Sequence, residues 1–186
     1  LVVLGGNGDG TFREPVPFLT IHAEHVLFED LNGDDNVDLI ASDYDPSSIV
    51  TRLGNGDGSY GPELVSPVVV ALDNIRIGDL DADEIPDLVG IGDYGPAAIV
   101  TFGRGDGTFG PPRALPVGDD PRDVEIGDFD ADGRADIAIV DGRETAVRVY
   151  YGTPAGGFDS PLSLPIGGTG AALDAGDVDG DAITDL

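Results

Sequence analysis

Short apolar runs of three to five residues fill the chain from end to end, separated by turns rich in Gly, Asp, Asn and Pro. Runs of this length between turn formers read as β-strands. One set leads into an acidic stretch: His25–Phe28, Asn74–Ile77, Asp123–Ile126 and Leu173–Ala175. A second set leaves it at Val37–Ala41, Leu88–Ile91 and Ile137–Val140. A third comprises Leu1–Leu4, Ile49–Leu53, Ile99–Phe102 and Val147–Tyr151, and a fourth Val16–Leu19, Glu63–Val65, Arg113–Leu115 and Leu162–Leu164. No stretch of ten or more residues keeps a helical period, because Gly and Pro interrupt it every few residues.

The runs are in register. Asp30, Asp79, Asp128 and Asp177 each open a copy of D-x-[DN]-x-D-x-x-x-D, 49 residues after the copy before. A second element follows each third strand: Gly6–Phe12, Gly54–Tyr60, Gly103–Phe109 and a degraded copy, Gly152–Phe158. Its Gly, Asn and Asp residues supply the positive φ of a tight hairpin turn. Four strands per repeat at this spacing predict β-propeller blades. A lone blade cannot bury both faces, whereas blades stacked around an axis can. A solenoid needs a shorter coil, and a sandwich does not repeat. The expectation is an all-β chain, one β-propeller of four-stranded blades over residues 1–186 with about four blades present, divided at 1–22, 23–72, 73–121, 122–171 and 172–186. Because the chain opens without Met and stops inside a repeat, it reads as a fragment of a larger propeller.

Charge narrows the partners. Nine basic residues, all Arg, face 36 acidic ones, for a net charge of −27. Such a polyanion is repelled by nucleic acid and by anionic membranes, which leaves metal cations as its natural counter-charge. No apolar run approaches the roughly 18 residues needed to cross a bilayer, so membrane insertion is not expected. Disorder is disfavoured, because 40% of residues are apolar and clustered. Cys is absent, which removes disulfides and thiolate chemistry.

The acidic repeats are candidate Ca²⁺ loops. Ca²⁺ takes about 6 to 8 oxygen ligands in a flexible cage. Carboxylates at positions 1, 3, 5 and 9 and a backbone carbonyl at position 7 supply most of them. The four loops offer Asp30, Asn32, Asp34, Asn36 and Asp38; Asp79, Asp81, Asp83, Ile85 and Asp87; Asp128, Asp130, Asp132, Arg134 and Asp136; and Asp177, Asp179, Asp181, Ile183 and Asp185. The ninth residue can bind bidentately. Apolar residues at position 2 (Leu31, Leu80, Phe129, Val178) and position 10 (Leu39, Leu88, Ile137, Leu186) would anchor each loop. An EF-hand is excluded, since position 12 is Ala41, Gly90 or Ile139 rather than Glu and the flanks are strands. Mg²⁺ fits less well because it keeps its water and demands an octahedron. Zn²⁺ would want His or Cys beside the loops. The competing reading is a set of solvated acidic turns.

These loops with their following Leu or Ile, and the G-N-G-D-G-[TS]-[FY] turns, resemble the FG-GAP/VCBS repeats of integrin-α-type propellers over essentially the whole chain. The resemblance implies a propeller, commonly seven-bladed, with Ca²⁺ in the loop between a blade's first two strands. It also implies secretion or surface display and a role in adhesion or recognition. Position 6 departs from the family's Gly in Asp35, Glu84 and Ala182, and only Gly133 keeps it, so the second and fourth loops are expected to bind more weakly.

Other signals point less far. Arg104-Gly105-Asp106 spells an integrin-binding tripeptide, but its sister turns read Asn-Gly-Asp, so Arg stands in place of Asn. His22 and His25 have no nucleophile nearby in sequence, and the Ser residues lack a nucleophile elbow. The loops between strands two and three fall on the opposite rim from the acidic loops. They carry Tyr44, Tyr94 and Arg143, which either meet a ligand or, for the tyrosines, pack between blades. The expected function is an extracellular, calcium-binding, non-catalytic module for adhesion or for protein or glycan recognition. The alternative is the propeller region of a larger secreted enzyme, such as a polysaccharide lyase or hydrolase.

Overall fold

The computed structural model describes residues 1–14, 16, 17, 23–92 and 97–186. Val2–Val3 (β1) pairs with Val16–Pro17 (β2). The first blade follows as Ala23–Glu29 (β3), Asp38–Asp43 (β4), Ser48–Arg52 (β5) and Leu64–Pro67 (β6). The second comprises Asn74–Gly78 (β7), Asp87–Ile91 (β8), Ala97–Thr101 (β9) and Arg113–Pro116 (β10). The third contains Pro121–Gly127 (β11), Asp136–Asp141 (β12) and Ala146–Tyr150 (β13). A small hairpin, Gly152–Thr153 (β14) with Gly157–Phe158 (β15), then leads into Leu162–Pro165 (β16). Each blade is a four-stranded antiparallel meander, ordered β3-β4-β5-β6, β7-β8-β9-β10 and β11-β12-β13-β16. Among the described residues there is no helix, and none long and apolar enough to cross a membrane.

The apolar core lies between blades. Second strands have both faces covered, so alternate residues serve two different interfaces. Leu88 joins Ile40, Ile49 and Ile99 between the first and second blades, while Val89 joins Val124, Ile137 and Tyr150 between the second and third. Ala138 and Val140 turn the other way, toward Phe129 and Leu173. The blades approach one another along their first strands, with β7 in contact with both β3 and β11. That convergence is the geometry of blades arranged around an axis.

Strand order and register follow the sequence expectation closely. The difference is at Leu173–Ala175, expected as a strand. Only a single bridge, Gly176 to Asp185, forms there. One bridge is not a ladder, and Leu173 packs against the third blade instead. Residues 18 and 19 of the expected Val16–Leu19 strand lie outside the described residues, as do His22 and Tyr94.

Candidate metal centres

Each acidic loop is built by its own aspartates. The first aspartate folds the loop back, one oxygen taking the N–H of position 5 and the other that of position 6. In the second loop Asp79 accepts from Asp83 (3.1 Å) and Glu84 (2.9 Å); in the third, Asp128 accepts from Asp132 (3.0 Å) and Gly133 (2.9 Å). Asp30 and Asp177 make the same pair of contacts. Position 5 then accepts the N–H of position 7, as in Asp34 to Asn36, Asp83 to Ile85, Asp132 to Arg134 and Asp181 to Ile183.

The ninth residue is a staple. Asp87 Oδ2 accepts the N–H of Leu80 (2.8 Å), and Oδ1 accepts that of Gly103 (2.7 Å) in the turn after β9. Asp38 holds Leu31 and Gly54, and Asp136 holds Phe129 and Gly152, in the same way. These bonds put acidic loops and third-to-fourth-strand turns on one rim. They also engage both oxygens of the residue expected to bind an ion bidentately, although each oxygen keeps a second lone pair.

The turn places backbone in the left-handed region at two positions. Position 6 has positive φ in all four loops: Asp35 (64°), Glu84 (68°), Gly133 (82°) and Ala182 (68°). Position 4 does too: Gly33 (73°), Ala82 (63°), Ala131 (60°) and Gly180 (84°). The second loop is the one with no glycine at either site.

Three loops bring carboxylate oxygens of positions 1, 3 and 9 within 4.8 Å of one another: Asp79, Asp81 and Asp87; Asp128, Asp130 and Asp136; Asp177, Asp179 and Asp185. The first loop has Asn32 at position 3, and its amide instead donates to Asp34 Oδ2 (3.1 Å). Position 5 stands outside these triads; in the third loop Asp132 is paired with the Arg134 guanidinium. The second loop is the most enclosed. A Cβ placed on Gly156, in the third blade's hairpin, would lie 2.9 Å from Asp81 Cβ, so that hairpin covers the loop. Asp81 Oδ1 is buried with no hydrogen-bond partner.

Electrostatics follow this packing. Burial pushes the Asp87 carboxyl up to about 6, with Asp81 and Asp83 adding to the rise against the Gly103 and Leu80 N–H groups. Burial, then Asp83 and Asp79, raise Asp81. Asp136 is raised by burial and by Asp130 and Asp128. Burial also pushes Asp30 upward, but the N–H groups of Asp35, Asn32, Gly33 and Asp34 outweigh it and hold the carboxyl low. A cluster of hard oxygen donors with a buried orphan among them fits a hard cation, which would sit against Asp79, Asp81 and Asp87 and neutralise their repulsion.

Elsewhere, Leu31 and Leu80 at position 2 are buried as expected, whereas Val178 is 85% exposed. The Arg104 turn repeats its sisters: Arg104 donates to Thr108 Oγ1, where Asn7 donates to Thr11 and Asn55 to Ser59. Tyr44 is exposed, and so is the Arg143 side chain, whose Nε lies 3.9 Å from Asp120 Oδ2. His25, set aside in the sequence, is built into the contact between first strands.

Antiparallel blades meeting along their first strands, with an aspartate-built loop in each, define a β-propeller of the acidic-loop class. The chain belongs to the FG-GAP-like repeat family, whose model matches residues 79–139 and 129–186, more than half of its length. Solved structures share the fold. One is an Agrocybe aegerita lectin described by its specific recognition of non-reducing terminal N-acetylglucosamine, with a TM-score of 0.65 and 24% identity over 90% of this chain. Another, described as BBS1N in complex with ARL6DN, soaked with lead, gives a TM-score of 0.56 and 14% identity over 83% of this chain. The chain spans 47% of each matched chain. No curated protein matches it in sequence.

Proposed function

We propose that this propeller is an extracellular, non-catalytic recognition module that takes Ca²⁺ in its acidic loops and meets a protein or glycan on the opposite rim. The observation that carries the metal reading is Asp81 Oδ1, buried and unpartnered beside the carboxylates of Asp79 and Asp87. Ca²⁺ is favoured over Mg²⁺ because the oxygens come from a flexible loop and already share lone pairs with backbone N–H groups. Extracellular Ca²⁺-binding modules generally work at about 10⁻⁴ to 10⁻³ M, the range expected here if the protein is secreted. The loops form a structural rim, and the exposed Tyr44 and Arg143 side chains leave the other rim for the partner.

Thermal unfolding with chelator, Ca²⁺ or Mg²⁺ tests the metal. Ca²⁺ at about 100 times its dissociation constant should add about 2.7 kcal/mol. An identical melting curve in chelator and in Ca²⁺ removes the metal reading. A glycan array that includes terminal N-acetylglucosamine, run beside a cell-adhesion assay, tests recognition. Loss of binding on Tyr44→Ala or Arg143→Ala would place the ligand on the proposed rim.

A further inference from the structure

We propose that His25 is a proton-operated latch between the first and second blades. β7 is the edge strand of its blade, so alternate N–H groups point away from β8. The Ile75 N–H is captured by His25 Nδ1 from β3, at 2.9 Å. Ile75 is fully buried, so this amide has no access to water when the bond is lost. The bond requires a lone pair on Nδ1 and therefore a neutral ring protonated on Nε2. An imidazolium presents N–H on both nitrogens, and two donors then face each other.

The place of His25 in the repeat explains the device. Asn74 and Asp123 occupy the same position at steps of 49 residues. Asp123 Oδ2 captures the Leu173 N–H at 2.9 Å, as His25 captures that of Ile75. Of these three side chains, the imidazole is the one that ordinarily titrates near neutrality. Arg76 on β7 and Asp123 on β11 are the charged groups acting on the ring. Arg76 is itself held by Glu125 (2.6 Å), Asp123 (3.3 Å) and the Asn74 side-chain Oδ1 (2.5 Å). β4 offers the Ser42 hydroxyl, which accepts the His25 backbone N–H at 3.0 Å, and its charged residues Asp38 and Asp43 stand at the strand ends. Burial first, and Arg76 second, hold the ring below its ordinary pKa, while Asp123 pulls the other way. A depressed histidine contributes stability that is complete above the unfolded value of about 6.5 and is lost as pH falls from there toward the folded value. Acidification therefore opens the first-strand contact between these blades.

An NMR titration of the full chain in Ca²⁺ tests this, together with amide exchange corrected for its intrinsic pH dependence. His25 should titrate below about 6.5, as the Nε2–H tautomer when neutral. Protection of the Ile75 amide should fall between about pH 7.5 and 5, while Leu173, held without an imidazole, keeps its own. His25→Asn supplies an acceptor oxygen in place of Nδ1 and should keep Ile75 protected at both pH values. A neutral ring protonated on Nδ1, a titration at or above the ordinary value, or equal loss of protection in the variant would overturn the latch. If the variant does not fold, the tautomer and titration of the wild-type ring decide alone.

Discussion

The first and second acidic loops share one backbone course and differ in what they do with charge. In the first, Asn32 at position 3 donates to Asp34, and Asp30 is satisfied by a run of backbone N–H groups. In the second, Asp81 takes that position, the next blade's hairpin covers it, and one of its oxygens has no partner. The first loop is complete as a polypeptide turn. The second is a turn with uncompensated negative charge. Turn-building and cation-holding are therefore separable tasks, the first carried by positions 1, 5 and 9 and the second decided at position 3.

The shared task should show the largest effect. Asp38→Ala and Asp87→Ala each strand two N–H groups, those of Leu31 and Gly54 or of Leu80 and Gly103. At about 1–3 kcal/mol per orphaned group, each variant should lose roughly 3 kcal/mol in urea unfolding in chelator, and Asp87→Ala should lose more in Ca²⁺ because it also removes a proposed ligand. A large loss at one position and little at the other would break the claim of a common staple.

Next in size is the pH response of the chelated protein. Asp87 is at about 6 in the fold against an ordinary value of 3.8, so the folded state holds this proton more tightly than the unfolded chain. Its contribution is present below the unfolded value and is lost as pH rises through about 6. Between about pH 4 and 7 that loss is on the order of 2–3 kcal/mol. Ca²⁺ should cancel it. Because His25 acts in the opposite sense over part of this range, the loss is read against Asp87→Asn; the same pH dependence in chelated wild type and Asp87→Asn would contradict the charge imbalance assigned to the second loop.

Exchanging position 3 sharpens the contrast at about 1 kcal/mol, the scale of a single buried polar contact. Asp81→Asn should stabilise the chelated protein and shrink its response to Ca²⁺. Asn32→Asp should do the reverse, giving the first loop a carboxylate triad. Calorimetric titration of both variants reads the change in site number directly.

Much of this was legible in the sequence, for a physical reason. A strict 49-residue register repeats whole blades, so four strands and two turns could be placed from one another. Leu31, Leu80, Leu39 and Leu88 are buried as their loop positions required. Other features depend on backbone atoms, which a residue pattern does not display. The staple role of Asp87 rests on two N–H groups, one of them in a turn sixteen residues away. Cover over Asp81 comes from a hairpin more than seventy residues later, and depends on how one blade leans on the next. His25, Asn74 and Asp123 share a register position but not a chemistry, so the repeat did not flag them.

The smallest effect concerns backbone strain, where the two loops differ again. Position 6 adopts the left-handed φ that glycine favours, as the family's Gly there implies; position 4 carries no such signal in the sequence, because Ala occupies it in two copies. The first loop has Gly33 and Asp35 at these sites, the second Ala82 and Glu84. A left-handed residue with a Cβ costs about 1–2 kcal/mol, and glycine gives part of that back through the freer unfolded chain. Ala82→Gly and Glu84→Gly should each stabilise the chelated protein by about 0.5–1 kcal/mol, and Gly33→Ala should destabilise it by a similar amount. Because the strain is independent of charge, the gains should add to that of Asp81→Asn wherever the side chains do not touch. If the glycine variants gain nothing in chelator but bind Ca²⁺ more tightly, the strained turn serves the ion rather than the fold, and position 3 is not the sole residue that separates the two loops.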